Sequence, residues 1–399
     1  MKKSILLATS ALIASGAVAT SAQAIDVELY GQVNKGIVGA NVENDGSSGD
    51  VNIVDNDISS TRFGLRGNQQ LNHGLTASVL LEGEMQDNAS NTRNLDNGAV
   101  GANADGSSSA WNTRHARVGL GGQWGALFVG RTSSASDGVA EIDLSAAQDV
   151  SSSAADRIGG AAVVDNAGGI TNASVAAHAD NVDGIGFSDD TSINTTALPV
   201  GQSLRDQHEE DRANLVRFDT PIVQGLQGRV AYTQDQTIDA AVLYNNSFSG
   251  FEVAGGASYV SYDADATNFN LTTSGATPDY AYSITASVKH ESGVSGTLNY
   301  GERKFDGLAA NADDPNAFYG KLGYQYNNTG FAVDYTKNDD AATPLGATSS
   351  DLEAYGAYVQ QDLGHGVSAS AYGKRIETEL NGTEGNDLDL YGVNMRVKF

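Results

Sequence analysis

Two arginines flanking a glycine at period two are the first residues in this chain whose types and spacing could do chemistry. In Ser60-Thr-Arg-Phe-Gly-Leu-Arg-Gly67, Arg62, Gly64 and Arg66 fall on one face of an extended strand, and Phe63 and Leu65 on the other, because side chains alternate across a strand. Guanidinium groups ranked along one face attract and orient anions. Turned towards lipid, each would cost roughly 2–4 kcal/mol at mid-bilayer, so the arginine face must be the watered one. Arg217 joins the same class if Val216 and Phe218 face outward. The complementary acids lie in the stretch 133–211, which holds fourteen Asp and Glu against Arg157 and Arg205 alone. Glu141, Asp143 and Asp149 stand near its start, where they could oppose the arginines. The chemistry on offer is electrostatic filtering, with no bond made or broken.

Other chemistries fit less well. The six histidines (73, 115, 178, 208, 290, 365) lack the i,i+4 or His-x-His spacing of a metal site, so no metal and no cofactor is expected. His73 and His365 read as polar turn residues. A Ser/His/acid hydrolase would need a suitable pair on one strand face, and no Gly-x-Ser-x-Gly elbow is present, so the chain does not read as an enzyme. Gly382-Thr-Glu-Gly-Asn-Asp387 is one imperfect copy of a calcium-binding nonapeptide that works only in tandem arrays. Asp313-Asp314 and Asp339-Asp340 read as solvated acidic loops rather than Ca²⁺ or Mg²⁺ ligands. The net charge of −26 argues against nucleic-acid binding, which needs clustered Lys and Arg.

The elements that must carry these residues are strands. Met1-Lys2-Lys3, an apolar run from Ile5 to Ala19 and Ala22-Gln23-Ala24 form a secretory signal peptide over 1–24, too short in its apolar part to cross a bilayer as a helix. Without Lys2 and Lys3, 21 basic residues face 49 acidic ones, a net charge of −28. Cysteine is absent, so no disulfide framework holds the exported chain. From residue 25 onward alternation dominates, and it predicts strands at 27–40, 58–70, 74–87, 111–121, 124–132, 212–220, 226–234, 237–246, 250–262, 279–290, 293–303, 316–327, 330–338, 351–361, 366–379 and 387–399. Short turns such as Asn246-Ser-Phe-Ser-Gly250 alternate with long acidic connections such as 41–57 and 133–211. In the last strand Tyr391, Val393, Met395, Val397 and Phe399 share an apolar face, opposite Gly392, Asn394, Arg396 and Lys398. Such a strand cannot stand alone in lipid, because every backbone group must be paired there; a closed barrel follows. Tyr244, Tyr259, Tyr280, Tyr300, Tyr326 and Tyr358 sit near strand ends, as an aromatic girdle requires. The fold class is therefore an all-β, sixteen-stranded antiparallel transmembrane barrel forming a single domain over 25–399.

Ser60–Gly67 with Leu71-Asn-His-Gly-Leu-Thr-Ala77 resembles the general diffusion porins of the Gram-negative outer membrane. Leu29-Tyr-Gly31, Arg114-His-Ala-Arg-Val-Gly-Leu120, Phe128-Val-Gly-Arg131, Arg217-Phe-Asp-Thr-Pro221 and Phe399 extend the likeness over most of the chain. The resemblance implies a homotrimer among outer-membrane lipid and lipopolysaccharide, whose third extracellular loop, here 133–211, folds inward to constrict the lumen. It also implies that the barrel-assembly machinery reads the terminal strand, and it makes Arg114 a wall arginine. The parity of that strand is awkward, since Val118 and Leu120 then share the face of Arg114 and Arg117 would point outward; a bulge would resolve this. The family often has a basic residue after Leu-Tyr-Gly, and this chain has Gln32. The expected function is passive diffusion of ions and small hydrophilic solutes, mildly cation-selective. A substrate-selective porin, or an adhesin or structural barrel with a plugged lumen, are the alternatives.

Overall fold

The computed structural model describes residues 26–42, 51–85, 89–91, 111–158, 163–165, 170–171, 197–199, 209–262, 276–341, 343, 347–385 and 387–399. The signal segment 1–24 lies outside them. Sixteen strands form the wall: β1 (Asp26–Val42), β2 (Arg62–Gln70), β3 (Thr76–Glu84), β4 (Asn112–Gly122), β5 (Gly125–Ser133), β6 (Arg212–Asp219), β7 (Leu226–Thr233), β8 (Ile238–Phe248), β9 (Phe251–Ser261), β10 (Thr277–His290), β11 (Val294–Asp306), β12 (Asn316–Tyr326), β13 (Thr329–Asp339), β14 (Ser350–Gly364), β15 (Val367–Leu380) and β16 (Leu388–Lys398). Each pairs antiparallel with its chain neighbour, and β16 pairs with β1 from Gln32↔Lys398 to Val42↔Leu388. The barrel is closed, with no free edge among its wall strands.

Alternation sorts the two faces. In β11, Ser295, Thr297, Asn299 and Arg303 are buried while Val294, Leu298 and Tyr300 are exposed. The same pattern leaves Val27, Leu29, Leu65, Leu81, Val129, Val242, Leu322 and Val393 exposed. They make an apolar outer belt around a polar interior, the inverse of a soluble core. Short turns join the strands at the end that carries both Asp26 and Lys398. In the two-residue turns Ser249-Gly250 and His365-Gly366 all four φ are positive, between 49° and 82°, which is what a tight hairpin linking right-twisted strands requires.

The structure departs from the sequence reading at four places. Val51–Asp55, expected within a loop, is a short strand on β1 (Lys35↔Asp55 to Gly39↔Val51). The start of the expected strand 58–70 is a 3₁₀ turn, Asp57–Ser59, capped by the Asn56 side chain. In β4 the register shifts opposite Glu82/Gly83; this bulge turns both Arg114 and Arg117 inward while Val118 and Leu120 stay exposed. Arg117 therefore does not point outward. Tyr358 does not belong to the outer girdle either: it is buried and donates to Asp334 Oδ1 at 3.0 Å.

The seam is closed by side chains as well as by backbone. Gly31 and Phe399 exchange both backbone bonds at 3.0 Å, and a Cβ on Gly31 would stand 2.7 Å from Phe399 Cζ. Phe399 thus lies flat over the one residue type that admits it. Phe399→Asp is expected to cut the yield of heat-modifiable trimer far below that of Lys398→Asp, read on unboiled gels. Equal losses would show that the outward aromatic is not what the seam needs.

Candidate functional site

The inward faces of β2, β3 and β4 build one cationic wall. Arg114 donates to Glu82 Oε1 at 2.8 Å and to Glu84 Oε2 at 2.7 Å, and Arg62 stands 3.8 Å from Glu82 Oε1. Tyr30 of β1 donates to the second oxygen of Glu82 at 2.8 Å. Arg66 lies lower, gripping Glu28 through two bonds of 2.8 Å beneath the Tyr30 ring. Arg217, on β6, holds Asp219 with bonds of 2.9 and 3.2 Å and donates to the Ser133 carbonyl at 2.6 Å. Four arginines expected at the wall thus point inward, each with a carboxylate partner. Paired charges on a low-dielectric wall orient solutes by local field rather than by net charge.

The long connection after β5 lies against the same interior. Its first part, 134–158, bonds in turn to the inward side chains of the opposite strands. Asp239 of β8 accepts from Ala135 N, Ser136 N and Ser136 Oγ at 3.1, 2.8 and 2.7 Å. Ser287 of β10 accepts from Leu144 N at 2.8 Å. Asp143 takes Lys321 Nζ of β12 at 2.8 Å and Thr297 Oγ1 of β11 at 2.6 Å. Ser151 donates to Asp334 of β13 at 2.8 Å. Asp149, fully buried, meets Arg396 of β16 and Ser368 of β15, and its backbone N donates to Gln360 of β14 at 3.1 Å. Arg157 ends the path on Asp57 at 3.0 Å. Alanines and small apolar residues of this segment, Ala147, Val150, Ala155 and Ile158, pack with Val38, Leu352, Ile376 and Leu388 of the wall.

Two of the three loop acids are therefore not free. Asp143 and Asp149 are consumed by Lys321 and Arg396, and Glu141 alone keeps an exposed side chain. Burial disfavours the Asp143 carboxylate, but Lys321 and the bonds from Ser145 N and Thr297 outweigh it and hold its pKa below the ordinary 3.8. Lys321 was legible as an inward residue, since it alternates with Phe318, Leu322 and Tyr324; nothing in the sequence gave its partner. At the outer rim, the acidic pairs 313–314 and 339–340 meet Lys304, Lys337 and Asp351 around one cavity of about 450 Å³. Lys304 bonds Asp314 at 3.1 Å and Lys337 pairs with Asp339 at 2.9 Å. The five apolar residues of the terminal strand, Tyr391 to Phe399, all lie exposed on the outer belt.

A family model described as Gram-negative porin matches residues 8–381. The chain belongs to the Gram-negative porins. Family and closed barrel together place it in the outer membrane. The sequence matches none of the curated proteins. Solved structures share the fold at low identity. An anion-selective porin from Comamonas acidovorans is 17% identical with a TM-score of 0.55, over 94% of this chain and 100% of that one. OmpT of Vibrio cholerae, in its trimer form, is 13% identical with a TM-score of 0.55, over 94% and 100%. Salmonella typhi OmpF, in complex with daunomycin, is 14% identical with a TM-score of 0.52, over 94% and 97%. Within this porin, Gln32 supplies no charge. Its amide donates to Ser59 O, Ser59 Oγ and Ser60 O, each at 2.8 Å, so the position ties β1 to the turn before β2.

Because the Asp143 pKa is lowered, its contribution to loop docking is present above the ordinary carboxylate range and is lost only as pH falls through the lowered value. Open-channel noise of Asp143→Asn should therefore exceed that of the wild type from neutral pH down to about 3.8. It should persist through that value and fade only at lower pH, as the depressed carboxylate is at last protonated. A difference that disappears near pH 6 would mean that Lys321 does not hold the group charged.

Proposed function

We propose that this porin forms a water-filled homotrimeric channel for passive diffusion of ions and small hydrophilic solutes, exported by cleavage of the 1–24 signal peptide. The observation that carries the reading is a closed barrel, apolar outside and charged inside, with 134–158 laid along the inner faces of β8 to β16. In this reading the stretch 133–211 is the constriction loop, and Arg62, Arg66, Arg114 and Arg217 are the cationic wall it faces. A loop bonded to the wall side chains narrows the pore without sealing it, because each bond uses lateral space next to the strands. The trimer form of the Vibrio cholerae OmpT structure supports the homotrimer. Lipopolysaccharide around the outer belt and the barrel-assembly machinery at Tyr391–Phe399 complete the set of partners.

Ion preference follows from two fields. At the mouth, a net charge of −28 after signal removal raises cation concentration through a potential that salt screens within about 8–10 Å. At the constriction the charges largely cancel in pairs, with Glu141 left exposed. The acid side wins, and the channel is mildly cation-selective, increasingly so at low salt. The anion-selective porin from Comamonas acidovorans is the opposite outcome on the same fold.

Two recordings in planar bilayers test this. The wild type should show stable single-channel steps, and deletion of most of 133–211 should raise their size severalfold. No conductance at all from assembled trimer would favour a plugged barrel, and an unchanged step would put the loop outside the conducting path. In a KCl gradient the reversal potential should report cation preference, which Glu141→Gln should reduce. A clear anion preference at low salt would mean that the arginine wall dominates.

A further inference from the structure

The segment 134–158 does not run level around the wall. Counted from the foot of each strand, its end at the short turns, the wall partners trace a descent and a return. The segment leaves the rim at Asp239, one residue from the opposite end of β8. It then passes Ser287, three residues above the foot of β10, and Thr297, three above the foot of β11. Asp149 is lowest. Its partner Ser368 stands one residue above the foot of β15, Arg396 two above that of β16, and Gln360 four above that of β14. The way up follows Asp334, five residues above the foot of β13, and Lys374, seven above that of β15, which donates to the Ala155 carbonyl. Short turns are the periplasmic ones in outer-membrane barrels, so residues 143–151 are a tip that lies at the periplasmic outlet.

The wall is hollowed to receive this tip. Gly323 of β12 and Gly330 of β13 flank the turn that joins the two strands. A Cβ on Gly323 would come within 2.9 Å of Ala146 N, and one on Gly330 within 2.9 Å of Ala146 Cβ. The tip therefore rests directly on the backbone of the wall, where a larger residue would lift it. Within the tip, Gln148 donates its amide to the Asp143 carbonyl at 2.5 Å, and Ser145 N donates to Asp143 Oδ1 at 2.7 Å. Ser151 N donates to the Ala147 carbonyl at 3.1 Å. Ala147 is held at a φ of 61°, a left-handed conformation that a residue with a Cβ keeps only where its surroundings impose it. Ser145, Ala146, Ala147, Asp149 and Val150 are buried, and Gln148 alone among them is exposed. The flanking charges are spent, Asp143 on Lys321 and Asp149 on Arg396, so what the tip offers is an uncharged amide. The charged level lies higher: Arg62 and Arg114 each stand eight residues above the feet of β2 and β4, and Glu82 six above that of β3. With about 3.3 Å per residue and strands tilted near 40°, the two levels are roughly 10–15 Å apart.

We propose that the tip 143–151 forms a second, lower constriction at the periplasmic outlet, with Gln148 as its size-determining residue. A solute then meets two filters in series. The first, between Glu141 and the arginine wall, sorts by charge; the second, at Gln148, sorts by cross-section. The proposal deepens the channel reading and rests on it for the passage of solute, while the place of the tip rests on the wall contacts alone. A size filter needs an aperture that does not yield, and the glycine seat with the bonds inside the tip supplies one.

The chain has no cysteine, so Gln148→Cys and Glu141→Cys each carry a single thiol. A maleimide with a polymer tail too bulky to cross the pore should label Gln148→Cys in opened envelope fragments and not in intact cells, where only the outer face is offered. Glu141→Cys should react in intact cells. Transport is read separately, on assembled trimer. Gln148→Trp should slow the swelling of liposomes in a neutral hexose severalfold and leave the reversal potential in a KCl gradient unchanged. Glu141→Gln should do the opposite, moving the potential with little effect on swelling. If the bulky indole impairs assembly, Gln148→Ala reads the same aperture in the other direction and should quicken swelling. Labelling of Gln148→Cys in intact cells, or in neither preparation, would overturn the lower constriction and leave the channel standing. Swelling rates equal to wild type in the Gln148 variants would do the same. Correctly sided labelling in a trimer that passes neither current nor hexose would sink the channel reading and keep the tip at the outlet.

Discussion

Everything in this molecule depends on the ladder between β1 and β16. A sheet in hydrocarbon cannot leave an edge, because each unpaired N–H or C=O would cost several kcal/mol with no water to replace its partner. The eleven registered pairs from Gln32↔Lys398 to Val42↔Leu388 remove the last two edges. With the edge gone, the outer surface is free to be apolar and the inner one free to be charged. The side chains at the seam are shaped by the same demand: Phe399 covers Gly31 and Tyr391 covers Gly39, filling the outer face where glycine leaves the backbone bare.

Once closed, the barrel has an interior in which charges meet at short range. The cations there are spent in two ways. On β2 to β4 they pair with acids of the wall itself, so that Arg62 and Arg114 share Glu82. On β12 and β16 they pair with acids of the loop, so that Lys321 takes Asp143 and Arg396 takes Asp149. The second kind holds a polar segment with few apolar residues in place, although hydrophobic burial alone would not fix its path. A fully buried aspartate is tolerable only because its partner is an arginine and its remaining acceptor sites are used. Asp149 has Arg396 beside one carboxylate oxygen and Ser368 on the other. It also links the loop to the strand that closes the barrel, so loop position and seam closure are mechanically one feature.

Sequence alternation determined most of the fold by itself. Period two is a local property, and wherever one face meets lipid and the other water the residue types must sort accordingly. That is why sixteen strands, the short-turn end, the inward Arg62, Arg66 and Arg217, and the apolar row from Tyr391 to Phe399 could all be read from the chain. The family likeness added the order of the strands and the place of Arg114. Where alternation is interrupted, local reading loses the face. The bulge opposite Glu82/Gly83 interrupts the parity of β4 at Arg114, so that Arg114 and Arg117 both face inward, which only the paired backbone could reveal. Tyr358 was misread for a related reason: its type suits an interface girdle, but its face is set by Asp334 across the strand pair.

The tertiary structure alone decided which charges cancel. Lys321 and Asp143 are 178 residues apart in the chain and 2.8 Å apart in space, and no periodicity relates them. Glu141, Asp143 and Asp149 look alike in the sequence, and only the path of 134–158 across the wall leaves one exposed and two neutralised. The same holds for Arg217 and Arg229, which stand on neighbouring strands and share Asp219. A sequence states which groups are charged and which face of a strand carries them. How much of that charge survives pairing is fixed by distances across the lumen, and those exist only once the sheet has closed.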